Sequence, residues 1–295
     1  SAVKDYIEHV VGTTDVKFDG LKIALDCANG SASVCAKEIF TSLGAKCFML
    51  SDTPDGVNIN DKCGSTHPEE LMKFVKDAGL DLGLAFDGDA DRMLAVDENG
   101  ELVDGDKVIA VCASKMKEEG KLKKNTAVVT VMSNMGFFKF CEANNINCEK
   151  TAVGDRYVLE KMLKEGYNIG GEQSGHVIFL DYATTGDGEL SGVQLLETVV
   201  KSGKKLSELA SVMQVYPQVL INVKVSAEGK KKYNNDEYII AATQKAEMEL
   251  MGDGRVLVRV SGTEPLVRVM LEGKDINHIQ KLGEQIAEVV KERLS

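Results

Sequence analysis

The 295-residue chain contains no long apolar run, no Cys-x-x-Cys pair and no excess of basic residues. No run approaches the roughly 20 apolar residues that a membrane-spanning helix needs, so the sequence predicts no contact with a membrane interior. Its first residues also lack the pattern of a signal peptide. Tryptophan and low-complexity tracts are absent, while a hydrophobic share of 43% is ordinary for a soluble globular protein.

The cysteines and the net charge narrow the class of protein further. The seven cysteines are scattered and odd in number, which favours reduced, mostly buried thiols in a cytoplasmic protein over a disulfide framework. A net charge of −11 argues against a nucleic-acid partner, because such partners are bound through their phosphates by lysine and arginine. The net charge does not argue against small phosphate ligands, because a local basic loop can bind an anion in a chain of negative net charge.

The order of the predicted strands and helices divides the chain into three blocks. Residues 1–103 and 104–215 each alternate strands with helices, which predicts two doubly wound α/β domains. Residues 216–295 carry strands and two helices, which is typical of a small α+β domain. No Gly/Ser-rich linker separates the blocks, and we expect the hinge near Pro217.

Local signals predict where several helices begin and end. Asp106 is expected to cap a helix over residues 107–117. The acidic residues after Pro68 favour a helix there, because the helix dipole stabilises negative charge in the first turn. The apolar spacing over residues 276–294 predicts an amphipathic helix as the last element.

The most informative segment is the acidic loop, Asp87-Gly88-Asp89-Ala90-Asp91-Arg92. The apolar run before it predicts a buried strand, so the carboxylates follow a strand end, where open α/β sheets bind ligands. Three neighbouring negative charges repel one another unless a cation joins them. Hard oxygen ligands suit Mg²⁺, and we therefore predict that Asp87, Asp89 and Asp91 bind this ion.

Three other interpretations of the acidic loop stay open from the sequence. An EF-hand has the same alternating start, but Arg92 stands where its sharp turn requires glycine. A phosphatase-type Asp-x-Asp nucleophile is the second, although Asp91 occupies a position that usually carries threonine or valine. The third is a solvated acidic turn without a ligand.

Two further loops carry groups that suit phosphate and sugar. Ser261-Gly262-Thr263-Glu264-Pro265 joins two predicted strands that carry Arg259 and Arg268, and its hydroxyls, open backbone and guanidinium groups predict an anion site. Glu172-Gln173-Ser174-Gly175-His176 offers a carboxylate, an amide, a hydroxyl and an imidazole, which suit sugar hydroxyls. Each loop taken alone is equally well explained as a turn with surface side chains.

Four motifs in this order resemble the α-D-phosphohexomutase superfamily, and the resemblance covers essentially the whole chain. They are Asp-Gly-Asp-Ala-Asp-Arg from Asp87, Val-Gly-Asp-Arg-Tyr from Val153, Gly-Glu-Gln-Ser-Gly-His from Gly171 and Ser-Gly-Thr-Glu-Pro from Ser261. Segments 58–67 and 180–188 resemble the bacterial phosphoglucosamine mutase branch, an isomerase that interconverts glucosamine 6-phosphate and glucosamine 1-phosphate for peptidoglycan precursors. A phosphomannomutase or phosphoglucomutase, and a non-catalytic sugar-phosphate-binding module, stay open as alternatives.

The resemblance implies a role for each group of motif residues. Asp87, Asp89 and Asp91 would hold Mg²⁺, with Arg92 as the catalytic residue beside the transferring phosphoryl group. The hexosamine phosphate would contact Glu172, Gln173, Ser174 and His176 through its sugar. Its non-reacting phosphate would contact Arg259, Ser261, Gly262, Thr263 and Arg268. Asp155 and Arg156 would complete the cleft, and glucose or glucosamine 1,6-bisphosphate would activate the full enzyme.

The chain departs from the superfamily in one respect. The family has four domains, and its phosphoserine lies in the first, in a loop that resembles Thr-Ala-Ser-His-Asn-Pro. No such sequence occurs in these 295 residues, and segment 3–11 looks like the tail of a preceding domain. We therefore expect a fragment that comprises the second to fourth domains, lacks the N-terminal phosphoserine domain, is monomeric and is inactive alone.

Overall fold

The structure is a computed structural model that describes residues 1–262 and 264–295. These residues form two compact units, Ser1–Ser133 with Phe137–Gln214 and Asn134–Gly136 with Val215–Ser295. The predicted α/β architecture is confirmed, because both units combine sheets with packed helices. The predicted domain boundary after residue 103 remains a prediction, because the residues before and after it belong to the same compact unit.

A five-stranded sheet forms the first half of the first unit. Its elements in chain order are α1 (Ala2–Val11), β1 (Lys22–Asp26), α2 (Ala36–Ser42), β2 (Lys46–Leu50), α3 (Glu69–Asp77), β3 (Leu82–Phe86), β4 (Met93–Asp97) and β5 (Leu102–Val103). The strand order is β2–β1–β3–β4–β5; β2, β1 and β3 are parallel, and β4 and β5 are antiparallel to their neighbours. The loops after β1, β2 and β3 therefore leave from the same edge of the sheet.

Strand β3 is buried along its whole length because helices cover both faces of the sheet. Leu71 and Val75 of α3 pack on one face, where Gly83 leaves room for them. Phe40 of α2 packs with Leu84 in the core on the other face. Burial on both faces explains why the sequence before the acidic loop is continuously apolar instead of alternating.

A four-stranded sheet forms the second half of the first unit. Its elements are α4 (Gly105–Glu118), β6 (Thr126–Thr130), α5 (Met135–Ala143), β7 (Asn147–Thr151), α6 (Asp155–Glu165), β8 (Ile169–Gly171), β9 (Val177–Phe179), α7 (Gly188–Ser202) and α8 (Leu206–Ala210). The strand order is β7–β6–β8–β9, with β9 antiparallel to β8 and the other pairs parallel. The loops after β7 and β8 therefore share one edge.

The second unit contains a three-stranded antiparallel sheet with helices packed against it. Its elements are β10 (Gln218–Lys224), α9 (Ala227–Lys232), α10 (Glu237–Leu250), β11 (Gly254–Val260), β12 (Leu266–Gly273) and α11 (Ile276–Leu294). The strand order is β10–β12–β11. Ile239 and Leu250 of α10 and Ile279 and Ile286 of α11 form its core with the sheet. The predicted bounds of the last helix are confirmed.

Short 3₁₀ helices at Ser31–Val34, Lys123–Asn125 and Tyr233–Asn235 complete the regular structure. Within residues 1–262 and 264–295, no helix has both the length and the apolar composition needed to cross a membrane.

One predicted helix cap was wrong. Helix α4 is capped by Asp104, whose carboxylate accepts the Lys107 N–H at 3.0 Å. Asp104 has the extended backbone that a capping residue needs, with φ −77° and ψ 178°. Asp106 lies inside the helix instead, where it is buried and accepts a hydrogen bond from Ser133 Oγ at 2.6 Å.

Candidate functional site

The acidic loop follows β3 and brings its three carboxylates together. One oxygen from each of Asp87, Asp89 and Asp91 lies within 4.8 Å of the other two. Asp87 is buried, Asp91 is half-buried and Asp89 is exposed, so the cluster opens to solvent on one side. Ala90 has a left-handed backbone with φ 58°, which lets the loop turn sharply between the last two carboxylates.

Burial disfavours the charged form of Asp87. Burial, with smaller contributions from the charges of Asp91 and Asp89, raises the pKa of this carboxyl to about 6. The Arg92 backbone N–H donates to Asp87 Oδ1 at 3.1 Å, and the guanidinium lies 3.6 Å from Oδ2. These two contacts lower the pKa of Asp87, but by less than burial raises it. A bound cation would offset both the burial and the repulsion.

His176 holds Asp91 in one orientation. Its Nδ1 lies 3.1 Å from Asp91 Oδ2, and its Nε2 accepts the Gly186 N–H at 3.1 Å. Because Nε2 is the acceptor, Nδ1 carries the ring hydrogen and donates it to Asp91. The second oxygen, Asp91 Oδ1, is buried and has no hydrogen-bond partner within the described part of the chain. A buried carboxylate oxygen without a partner, close to two further carboxylates, fits a metal ion.

Backbone hydrogen bonds join the acidic loop to the second half of the same unit. Met93 N donates to Gly175 O at 3.1 Å, and Gly188 N donates to Ala90 O at 2.8 Å. Gly175 has φ 98°, and a Cβ on it would lie 2.5 Å from Met93 O. Glycine is therefore required at this approach. The acidic loop and the loop after β8 form one connected site.

The predicted sugar-contacting loop connects β8 to β9 as a tight hairpin. Glu172 is half-buried, and its Oε1 accepts the Gly154 N–H at 3.2 Å. Gln173 Nε2 donates to the Asp104 carboxylate at 3.2 Å, whereas Ser174 is exposed. This loop offers three groups to a ligand. They are the second carboxylate oxygen of Glu172, the side-chain carbonyl of Gln173 and the hydroxyl of Ser174.

Two predicted site residues make contacts that sequence reasoning did not foresee. His176 is 3% exposed, and both of its ring nitrogens already have partners, so neither is left for a sugar hydroxyl. Arg156 is exposed and its Nε donates to Glu160 at 2.7 Å along α6. Asp155 is nearer to the acidic loop, since its Oδ2 lies 3.7 Å from His176 Nε2.

The predicted phosphate loop joins β11 to β12, and two arginines stand opposite each other beside it. Arg259 and Arg268 are cross-strand partners, and burial, followed by the charge of Arg268, lowers the pKa of Arg259. Arg268 Nη2 donates to Glu264 at 2.9 Å, but its Nε is buried with no partner among residues 1–262 and 264–295. Like charges directly opposite on a hairpin destabilise it, so a bound anion would stabilise this arrangement.

A lysine that sequence reasoning missed adds a third positive charge to this loop. Lys230 of α9 donates from Nζ to Gly262 O at 3.4 Å and to Glu264 O at 3.1 Å. The sequence signal for this lysine was the run of three consecutive lysines at 230–232 in a chain of negative net charge. Ser261 is buried, and its Oγ accepts the Glu264 N–H at 3.3 Å. Thr263, the remaining predicted residue, lies outside the described residues.

Family models match three consecutive parts of the chain. They are described as phosphoglucomutase/phosphomannomutase, alpha/beta/alpha domain II over residues 4–100, alpha/beta/alpha domain III over residues 104–216, and C-terminal domain over residues 220–289. Together the three matches extend over both structural units.

Curated relatives are similar along nearly the whole chain. The phosphoglucosamine mutase of Brevibacillus brevis is 56% identical over 289 residues, and that of Acetivibrio thermocellus is 55% identical over 294 residues. These alignments cover 98% and 100% of this chain but 64% and 66% of the relatives. The chain therefore spans somewhat less than two thirds of the length of the relatives it matches.

Solved structures share the fold at lower identity. A phosphoglucomutase/phosphomannomutase family protein from Burkholderia thailandensis superposes with a TM-score of 0.82 at 23% identity, covering 100% of this chain and 66% of that one. The N-acetylphosphoglucosamine mutase of Aspergillus fumigatus, in complex with GlcNAc-6P and magnesium, gives 0.81 at 20% identity, with coverages of 99% and 66%.

Proposed function

The chain belongs to the phosphoglucomutase/phosphomannomutase family, and on this premise we propose that it forms the metal-, sugar- and phosphate-binding domains of a phosphoglucosamine mutase. The proposed activity of the whole protein is the interconversion of glucosamine 6-phosphate and glucosamine 1-phosphate in the cytoplasm. Identities of 56% and 55% to relatives of that name support the choice of substrate. The geometric observation that carries it is the set of three carboxylates within 4.8 Å, joined to the loop after β8.

The proposed domains are residues 1–103, 104–215 and 216–295. The ranges of the three family matches support these limits. The second unit begins near the last limit, apart from the short segment Asn134–Gly136 that clusters with it.

We propose that Asp87, Asp89 and Asp91 hold Mg²⁺. Two observations support a cation at this cluster: Asp91 Oδ1 has no hydrogen-bond partner among the described residues, and the pKa of Asp87 is raised. Bound Mg²⁺ would supply positive charge against the negative charge that develops during phosphoryl transfer. Arg92 is exposed beside Asp87, and its guanidinium has further N–H groups to offer a phosphoryl oxygen.

The sugar is proposed to contact the loop after β8. Glu172 and Ser174 would accept and donate hydrogen bonds to its hydroxyls, and Gln173 would offer its carbonyl oxygen. His176 contributes indirectly, because its ring orients Asp91. Asp155 lines the same edge near His176. Of the proposed cleft residues, Arg156 has the least structural support, because its guanidinium pairs with Glu160.

The non-reacting phosphate is proposed to contact the loop between β11 and β12. Arg259, Arg268 and the backbone of Ser261 and Gly262 are suitable donors, and Lys230 adds charge. A sugar bisphosphate intermediate must turn around between the two transfer steps, so this loop would hold either phosphate in turn.

The phosphoryl carrier of the reaction is proposed to be a serine outside these 295 residues, and a sugar 1,6-bisphosphate is the proposed activator. Within the 295 residues, no segment resembles the family's serine loop. The fragment alone should therefore bind ligands as a monomer without turning them over.

Reconstitution tests the proposed function. A separate domain that carries a phosphorylated Thr-Ala-Ser-His-Asn-Pro loop should restore conversion of glucosamine 1-phosphate when it is mixed with this chain and Mg²⁺. Faster conversion of glucose or mannose phosphates would favour the phosphoglucomutase or phosphomannomutase alternative. Binding of sugar phosphates without turnover of any of them, even in a covalent fusion, would favour a non-catalytic binding module.

A further inference from the structure

A buried carboxylate outside the acidic cluster, Asp26, ends strand β1. It is 1% exposed, and burial raises its pKa while backbone hydrogen bonds lower it. Its Oδ1 accepts the Ala28 N–H at 3.0 Å, and its Oδ2 accepts the Gly64 N–H at 2.8 Å. One side chain thereby joins the loop after β1 to a segment 38 residues away.

Both segments that Asp26 joins also form hydrogen bonds with the main chain beside Asp87. Ser31 N donates to Gly88 O, and Ser65 N donates to Phe86 O, each at 2.9 Å. Phe86 and Gly88 flank the first carboxylate of the acidic loop. The backbone on both sides of a proposed metal ligand is therefore fixed by the two segments that Asp26 joins.

Glycines make this contact unusually close. A Cβ on Gly30 would lie 2.2 Å from Gly88 O, and a Cβ on Gly64 would lie 2.4 Å from Phe86 O. Gly64 also has φ 72°, a conformation that glycine adopts readily. The two segments thus touch the acidic loop with no space for a shift of either one.

Left-handed backbones at non-glycine residues surround the same contact. Ala28, Asn29, Asn60 and Lys62 have φ values of 52°, 48°, 58° and 53°. Such conformations persist only where the surrounding structure holds them, and they gather at functional sites. Asp26 holds the first of them directly, through the N–H of Ala28.

We propose that Asp26 is a positioning residue for metal binding, because its carboxylate joins the segments at Ala28 and Gly64 that fix the backbone on both sides of Asp87. The proposal rests on the Mg²⁺ site proposed above and adds a residue that is not a ligand itself. Asparagine has the same shape as aspartate but only one accepting oxygen. The Asp26→Asn variant therefore leaves one of two buried N–H groups without an acceptor.

Asp97 provides a matched control on the same sheet. It is 5% exposed, and its Oδ1 accepts the N–H groups of Asn99 and Glu101 at 2.9 and 3.0 Å. It ends β4 at the opposite edge of the sheet from the acidic loop. Both N–H groups share one oxygen, which asparagine would keep, so the control variant is Asp97→Ala, which removes this acceptor at a distance from the metal cluster.

The experiment is a calorimetric Mg²⁺ titration of the 295-residue protein and both variants, with melting temperatures measured in parallel. We expect Asp26→Asn to raise the Mg²⁺ dissociation constant roughly tenfold, as the loss of an outer contact of a metal site does. Asp97→Ala should lower the melting temperature and leave the dissociation constant unchanged. Unchanged Mg²⁺ affinity in Asp26→Asn, or an equal loss in both variants, overturns the proposal.

Two further measurements cover the remaining outcomes. If Asp26→Asn does not fold, Gly30→Ala is the second variant, because its Cβ would press against Gly88 O in the acidic loop. Unchanged Mg²⁺ affinity in that variant overturns the proposal. If the parent protein binds no Mg²⁺, the metal site itself is contradicted. Hydrogen–deuterium exchange then tests whether Asp26 fixes the acidic loop: faster exchange at residues 27–31, 58–65 and 86–88 in Asp26→Asn supports this part of the proposal, and unchanged exchange overturns it.

Discussion

His176 and Asp91 are 85 residues apart in the sequence, yet His176 Nδ1 and Asp91 Oδ2 lie 3.1 Å apart. The Gly186 N–H donates to the other ring nitrogen, so the ring is fixed at both ends. One carboxylate oxygen of Asp91 thereby contacts His176, and the other is buried without a hydrogen-bond partner among the described residues. This pairing means that the loop after β8 shapes the proposed metal site as well as the proposed sugar site.

The first prediction concerns this pairing. His176→Phe removes the donor to Asp91 and should weaken Mg²⁺ binding by roughly tenfold, as expected when a ligand loses its orienting partner. His176→Asn keeps an N–H donor near the position of Nδ1 and should retain most of the affinity. Calorimetry with the purified variants measures both values. Equal affinities in the phenylalanine and asparagine variants would contradict the orienting role.

The second prediction concerns the ligands themselves. Asp89→Asn removes one charge from the cluster and should weaken Mg²⁺ binding by about 1–3 kcal/mol, the value of a charge-assisted contact. Asp77→Asn, on the surface of α3 beside Lys73, changes the net charge equally and should leave the affinity unchanged. The same titration compares them. An unaltered dissociation constant in Asp89→Asn would remove this residue from the proposed site.

The third prediction concerns the anion site. Inorganic phosphate should raise the melting temperature of the parent protein, because it offsets the repulsion between Arg259 and Arg268. Arg268→Gln should abolish most of this shift. Lys281→Gln, an exposed change on α11, should preserve it. A phosphate effect that is equal in all three proteins would show that the anion binds elsewhere or not specifically.

The fourth prediction concerns activity. The 295-residue protein primed with glucosamine 1,6-bisphosphate should not isomerise glucosamine phosphates, because a mutase needs a group that holds phosphoryl while the sugar reorients. A coupled assay on purified fractions measures this. Turnover that follows the protein through purification would show that a nucleophile within these residues carries the phosphoryl group.

The fifth prediction starts from a cluster of buried Glu189 with half-buried Tyr6 and Asp187. Tyr6 Oη lies 2.9 Å from Asp187 Oδ1 and 3.1 Å from Glu189 Oε2. The single hydroxyl hydrogen is donated to one of these carboxyls, and a proton on the other would let that carboxyl donate to Oη. Burial, with a smaller contribution from the charge of Asp187, raises the pKa of Glu189 to about 7. We therefore expect Glu189 to bind this proton at pH values below about 7.

The consequence is a dependence of stability on pH. Between the ordinary glutamate pKa of 4.5 and about 7, the folded protein binds more protons at Glu189 than the unfolded chain does. The free energy of unfolding should fall by up to roughly 3 kcal/mol as the pH rises through this window. Glu189→Gln can donate to Tyr6 at every pH, so it should be more stable than the parent near pH 8 and similar near pH 5.

Urea denaturation at both pH values measures this difference. Glu208→Gln on α8 serves as the control, because Glu208 is exposed and pairs with Lys204 at the surface, where ion pairs contribute little. Its stability should follow that of the parent at both pH values. A Glu189→Gln profile that is parallel to the parent would contradict a shared proton in the cluster.

Several features could be predicted from the sequence because their causes are local. The acidic loop follows a strand, since the run before it is apolar throughout and both faces of β3 are covered. The bounds of α11 follow from apolar spacing along one helix. The arginines beside the predicted phosphate loop are opposite each other because a short turn fixes the register of the strands. In each case the deciding residues are close together in the chain.

The sequence by itself therefore determined which residues could carry the chemistry and on which loops they lie. Only the tertiary structure decided how these residues are used. His176 supports Asp91 instead of facing a ligand, Asp104 replaces Asp106 as a helix cap, and Asp26 joins two distant segments. The physical reason is that periodicity and turn signals act over a few residues, whereas the partner of a buried polar group is chosen by how the sheets and loops pack.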